Sequence, residues 1–275
     1  MKVLISVDLE GISGVVHPTE TNPDRYDYER GRALMTAEAN AVIAGVLNAE
    51  PDAVVWVADA HGTFRNILPE DLDRRAHLVR GKPRPLGMLA GLDEQTDAVL
   101  LVGYHARAGA GPAVLAHTIS DAVLDVRVAG RSLGEIGLNV AMAGHLDAPV
   151  VLLSGDDTAC AEFSELVPSA VTVAVKQTLG QAAAVALHPQ EARERLRHAA
   201  ADAIARRASI PPAKMVGPLD VEVDLYGPYM VDLATLVPGV TRLDGGRTVA
   251  FHAVDVAEAY RLVQLLVQLA SIKPS

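Results

Sequence analysis

The sequence predicts an α/β fold, a three-layer α/β/α domain built on a mainly parallel sheet and followed by a smaller α+β C-terminal domain. Three observations predict it. Short β-branched runs recur at residues 3–7, 53–58, 98–102, 150–153 and 171–175, and such brief, continuously apolar runs read as strands buried on both faces. Helical spacing and polar loops separate them, and this alternation implies parallel strands joined by right-handed crossovers. From about Gln181 the composition shifts to Ala, Arg and Glu before strand-like runs return, which marks a second unit. The expected division is therefore residues 1–180 for the first domain and 181–275 for the second.

The first strand runs into Asp8-Leu9-Glu10-Gly11. If extended geometry persists through Glu10, the period of two places Asp8 and Glu10 on one face. Two unit charges about 4 Å apart repel by roughly 4 kcal/mol at an effective dielectric near 20, so the pair must share a proton, part in water or hold a cation. Acids at strand ends also cap helices, and Asp-x-Glu by itself does not decide. Gly11 and Gly14 allow the chain to turn tightly beside the pair. Residues 18–28 read as polar loop. Met35, Ala39, Val42 and Val46 then recur at helical spacing until Pro51-Asp52 breaks the pattern. The second strand ends in Asp59-Ala60-His61-Gly62 and the third in Gly103-Tyr104-His105-Ala106-Arg107. Ligands gather at the carboxyl ends of parallel strands, and three successive strands deliver Asp8, Glu10, His61 and His105 to that edge. One histidine after a strand is an ordinary loop residue; convergence from three strands points to a metal.

His117 stands among apolar neighbours in residues 113–120, a stretch whose plain reading is a packed strand with a hydrogen-bonded imidazole. Residues 123–128 alternate like a hairpin partner, and Gly130-Arg131 is a turn. Glu135 opens a helix running to about His145, where an acid in the first turn also suits the helix dipole. Ser154-Gly155-Asp156-Asp157 reads as a helix cap, and residues 171–175 lead to Lys176-Gln177-Thr178 as the last strand of the first sheet. In the second unit Pro189 starts a helix that pairs Glu191 with Arg195. Strands are expected at 219–225, 240–243 and 248–252, with Asp244-Gly245-Gly246 as a turn. Asp255 and Glu258 resemble a capping box for an amphipathic helix through Leu269. This half presents no catalytic constellation.

The chain has 275 residues and a formal charge of −10, which argues against a nucleic-acid or anionic-membrane partner, since either needs a basic stripe. No stretch approaches the ~20 apolar residues of a membrane span. Asp8 and Glu10 interrupt any secretion-signal pattern, so a cytoplasmic protein is expected. Cys160 is the only cysteine, which excludes an internal disulfide and a thiolate cage. A metal would have to sit on His, Asp and Glu.

Residues 6–14 (Ser-Val-Asp-Leu-Glu-Gly-Ile-Ser-Gly), 28–32 (Tyr-Glu-Arg-Gly-Arg), 103–107 (Gly-Tyr-His-Ala-Arg), 134–139 (Gly-Glu-Ile-Gly-Leu-Asn), 154–157 (Ser-Gly-Asp-Asp) and 175–178 (Val-Lys-Gln-Thr) resemble, in order, the motifs of the zinc-dependent D-aminopeptidase family, peptidase family M55. Beyond about residue 178 the likeness is one of length and element order. The resemblance implies a site with two zinc ions per subunit. Asp8 falls on the bridging carboxylate, Glu10 and His61 on the remaining ligands of one zinc, and His105 and Glu135 on those of the other. His117 falls on a catalytic histidine beside the metals, as general base or nucleophile. The second strand departs from the family pattern: Asp59-Ala60-His61-Gly62 stands where Asp-Ser-His-Ser is closer to it. The resemblance also implies a homo-oligomer, a hollow decamer with inward-facing sites. Three carboxylates offset most of the charge of two divalent ions, and two imidazoles suit zinc better than magnesium.

The reading is a metal-dependent aminopeptidase for short peptides with a free amino terminus, D-specific by resemblance. A two-metal phosphoesterase is the nearest rival, because the same ligands serve phosphoryl transfer. It would need basic residues beside the metals, where the sequence offers Arg107. A dipeptide-binding component without turnover is a further alternative, and it would call for a secretion signal.

Overall fold

The structure is a computed structural model and describes residues 1–272. In chain order the first half contributes β1 (Lys2–Val7), α1 (Tyr28–Ala49), β2 (Val54–Asp59), β3 (Ala76–Val79), β4 (Ala98–Tyr104), β5 (Val123–Val128), β6 (Arg131–Ser132), α2 (Glu135–His145), β7 (Val150–Asp156) and α3 (Asp157–Leu166). The second half contributes β8 (Val171–Gly180), β9 (Ala183–Ala186), α4 (Pro189–Arg206), β10 (Leu219–Leu225), α5 (Pro228–Ala234), β11 (Thr241–Arg242), β12 (Thr248–Ala253) and α6 (Val256–Ala270).

Among the described residues the strands form two sheets. The larger has the order β3-β2-β1-β4-β7-β8-β9 and is parallel except for β9, which runs antiparallel to β8. Every residue of β4 and β7 is buried, so both sheet faces are covered. α1 and α4 pack on each other as one layer, and α2 and α3 as another. Burying each Val, Leu or Ile of these strands contributes about 1.5–3 kcal/mol, which is why uninterrupted apolar runs settle at the centre of the sheet. The smaller sheet, β11-β12-β10-β5-β6, is antiparallel and carries α5 and α6.

The sheets do not divide at residue 180. β5 and β6 join the smaller sheet through pairing with β10, whereas β9 and α4 belong with the larger one. The chain crosses between sheets, and long-range strand pairing of this kind leaves no trace in local composition. α4 reads as a change of composition because its outer face is polar; its buried face is Ala192, Leu196, Ala200, Ala203 and Ile204 at helical spacing. β3 and β9, of four residues each, carry too weak a pattern to be read from sequence. No helix is long and apolar enough to cross a membrane among the described residues.

Candidate metal centre

β2, β1 and β4 are neighbours, so their carboxyl ends present His61, Asp8 with Glu10, and His105 side by side. β1 ends at Val7, so strand pleating does not align Asp8 with Glu10. The loop after it is laid along β4 instead: the Asp8 N–H donates to Val102 O (2.8 Å) and the Gly11 N–H to Gly103 O (2.7 Å). This approach requires glycine. A Cβ on Gly11 would lie 2.0 Å from Tyr104 O, and one on Gly103, whose φ is +70°, would lie 2.3 Å from Asp8 O.

The six residues meet in one buried cluster. His61 Nδ1 lies 2.9 Å from Glu10 Oε2 and 3.3 Å from Asp8 Oδ1. His105 Nε2 lies 3.5 Å from Asp8 Oδ2 and 3.4 Å from Glu135 Oε1. Glu135 is the first residue of α2, as expected, and its Oε1 accepts from the Ile119 N–H. His117 is not on a packed strand. Its stretch is a loop, with left-handed backbone at Leu115 and Ile119, that presents the ring beside His105, centroids 4.1 Å apart and planes 12° from parallel. Its Nε2 lies 3.7 Å from Glu135 Oε1, and its side chain is 24% exposed.

The ring hydrogens are fixed by what each ring touches. His105 Nδ1 donates to Ala106 O (3.0 Å), His117 Nδ1 to Leu115 O (2.9 Å) and His61 Nε2 to Thr21 O (2.8 Å). In the neutral rings the opposite nitrogens are then lone-pair donors aimed at carboxylates, an arrangement that calls for a cation or a proton between them. Asp8 Oδ2 and His105 Nε2 are buried and have no hydrogen-bond partner. Burial, then the charge of Glu10, pushes Asp8 up to about 8. Burial also disfavours charge on Glu10, but His61 outweighs it and holds the carboxyl well below its usual range. His61 and His105 are driven the other way: desolvation opposes their charged forms, yet the adjoining carboxylates raise both well above an ordinary imidazole. The carboxylates and imidazoles thus favour a shared positive charge between them, which a divalent ion would supply. Two sets offer converging donors within 4.8 Å of one another, Asp8 with Glu10 and His105, and His105 with His117 and Glu135. This donor set fits zinc.

Sequence reasoning assigned no role to Lys176. Its ammonium is buried beneath the Asp8–Glu10 loop and donates to Glu10 O, Ile12 O and Val15 O. Burial lowers it to about 8, against the pull of Asp156 and Glu38. Buried Glu38 accepts from the Ser13 N–H of the same loop and is raised by burial to about 7. Lys176→Met would leave three carbonyls without their donor, and the expected loss is about 2–3 kcal/mol of stability together with weaker metal binding on the Glu10 side. Urea unfolding and a zinc titration check this; unchanged values in both would contradict the role.

A cavity of about 780 Å³ opens over the cluster. α6 supplies part of its wall through Tyr260, Val263, Gln264 and Gln268. Tyr260 Oη donates to Asn139 Oδ1 (2.6 Å), Asn139 Nδ2 donates to Tyr104 Oη (3.0 Å), and Tyr104 Oη meets Ser6 Oγ at 2.7 Å. The helix of the second half is thereby tied to the floor of the site.

A sequence profile of the D-aminopeptidase family, peptidase family M55, matches residues 1–265. The chain belongs to that family. A curated D-aminopeptidase of Bacillus subtilis (strain 168) is 38% identical over 274 residues, 98% of each chain. A solved structure described as the Zn-dependent D-aminopeptidase DppA from Bacillus subtilis, a self-compartmentalizing protease, superposes with a TM-score of 0.96 at 35% identity, covering 100% of both chains. The described residues have the mixed α/β fold of that D-aminopeptidase.

Proposed function

We propose that the centre holds two zinc ions and that the chain removes an amino-terminal D-residue from short peptides. Asp8 is the bridging ligand, Glu10 and His61 complete one site, His105 and Glu135 complete the other, and His117 carries protons beside them. The observation behind this reading is the pair of buried, unpartnered atoms Asp8 Oδ2 and His105 Nε2, 3.5 Å apart at the meeting point of the two half-sites. Leaving two such atoms unsatisfied is costly unless a ligand joins them.

Zinc there would polarise the scissile carbonyl and make an attacking water acidic enough to react near neutral pH. The protein supplies the rest. Leu115 O fixes the His117 tautomer, so Nε2 can take the water's proton and pass it to the departing amine. Ala106 O likewise fixes the ring of His105. We also propose that the chain works in the cytoplasm as a homo-oligomer, a decamer enclosing its active sites, in keeping with the self-compartmentalizing relative.

One preparation tests the reading. Mass spectrometry should find close to two zinc ions per chain, and sedimentation a particle of about ten chains. Amides and dipeptides with D-residues at the amino end should be cleaved in preference to their L-counterparts, and p-nitrophenyl phosphate left intact. Full activity in excess chelator with no bound metal would refute the metal centre, and turnover of the phosphate ester alone would refute the peptidase.

A further inference from the structure

The segment following β3 brings two cations, Lys82 and Arg84, to the wall of the cavity that holds the carboxylate and histidine cluster. Both lie against one aromatic ring. The Arg84 guanidinium carbon is 4.1 Å from the Phe64 centroid and Lys82 Nζ is 5.7 Å from it. The chain has 34 acidic residues against 24 basic ones, yet neither cation pairs with a carboxylate among the described residues. Arg84 is oriented entirely by backbone: Nε donates to Gly87 O (2.8 Å), one terminal nitrogen to Val79 O (3.0 Å) and the other to Asp59 O (2.6 Å). The Asp59 carboxylate does not neutralise it, being occupied by Asn66 N, Asn66 Nδ2 and Ile67 N. Three of the five guanidinium N–H groups are committed, and two remain.

A half-buried cation held by carbonyls is fixed in place without being neutralised, and an arriving carboxylate would supply both charge and the missing acceptors. Asp8, Glu10 and Glu135, the proposed zinc ligands, lie on the floor of the same cavity, where the scissile bond would be held, and Asp121 is the further acid of its lining. The cavity therefore sets two cations to one side of the reaction centre, the complement of a peptide's free carboxylate. Asp59, whose carbonyl Arg84 grips, precedes His61 by two residues, which is at most about 7 Å of chain. Arg84 and His61 thus line one cavity from neighbouring stretches of chain.

We infer that Lys82 and Arg84 form a subsite for the free carboxyl terminus of the substrate, so that the site is matched to dipeptides and tripeptides and discriminates against chains lacking a nearby carboxylate. This specifies the substrate class of the aminopeptidase reading above and rests on it.

The test compares D-Ala-Gly with D-Ala-Gly-amide on the zinc-loaded protein, each against D-alanine p-nitroanilide. The free acid should be favoured about tenfold or more in kcat/KM, chiefly through KM. The acid-to-amide ratio should fall towards one in Lys82→Gln and in Arg84→Gln, and below one in Lys82→Glu. Being a ratio within one preparation, it does not depend on how much of a variant folds, and the Lys82 variants decide if Arg84→Gln is too unstable to assay. Equal kcat/KM for acid and amide in the unmodified protein, or a ratio that none of these substitutions moves, overturns the subsite while leaving the aminopeptidase intact. Failure to cleave any of the three substrates overturns the aminopeptidase reading, and the subsite with it.

Discussion

Asp8→Ala should yield a folded protein with no stoichiometric zinc and no measurable peptidase activity, whereas His61→Ala and His105→Ala should each lose close to one ion. The asymmetry follows from position. The two oxygens of Asp8 face different halves of the cluster, Oδ1 at 3.3 Å from His61 Nδ1 and Oδ2 at 3.5 Å from His105 Nε2. His61 Nδ1 approaches only Asp8 and Glu10, and His105 offers one free nitrogen, Nε2, where Asp8 offers two oxygens. Asp8 is also the group most disfavoured as an anion without a cation, since burial and Glu10 both raise it. On the proposed assignment, removing its carboxylate would delete a ligand from both ions at once. Metal per chain, measured after desalting, separates the three variants. Zinc retained by Asp8→Ala at two ions per chain and unaltered affinity would contradict the bridge. In the unmodified protein, affinity should fall as pH drops from about 8, where Asp8 takes up its proton, and above the ordinary imidazole range, since His61 and His105 are raised too and every ligand must shed its proton to bind.

The strands that carry the site were legible in the sequence because a strand buried on both faces has to be a short apolar run. β1, β2 and β4 are such runs, and each ends where the polar chemistry begins. Glu135 was legible as the start of a helix, and the capping acids Asp156 and Asp255 sit where their positions suggested, accepting from Ala159 N and Glu258 N. What stayed hidden depends on distant pairing. Lys176 reads as the polar end of a strand until the loop from Glu10 to Val15 folds over it. Glu38 sits among apolar residues of α1 and shows its purpose only when Ser13 N reaches it. The segment between His117 and Glu135 crosses to the other sheet as β5, so neighbours in sequence belong to different layers, and no local signal records that.

His117→Ala should lower kcat by at least two decades with two metals still bound. The apolar setting of residues 113–120 suggests a structural imidazole, and the geometry argues otherwise. The ring's one hydrogen bond runs from Nδ1 to Leu115 O, it stacks on His105, and its Nε2 reaches no closer than 3.7 Å to Glu135 Oε1 while facing the cavity. A side chain held in that way contributes little to the fold. Losing one neutral hydrogen bond costs about 1 kcal/mol, a shift of roughly 4 °C or less in the thermal midpoint of a chain this long. A positioned base, in contrast, typically supplies ~10² to 10⁴-fold in rate, or roughly 3–5 kcal/mol of barrier. The two roles thus predict opposite patterns on one variant. A catalytic His117 gives a near-normal melting curve, two zinc ions and kcat reduced at least a hundredfold; a packing histidine gives a lowered midpoint with turnover per folded molecule almost intact. Loss of one zinc in the same variant would mean that His117 Nε2, which converges with His105 and Glu135 within ligand reach, binds metal instead of carrying protons.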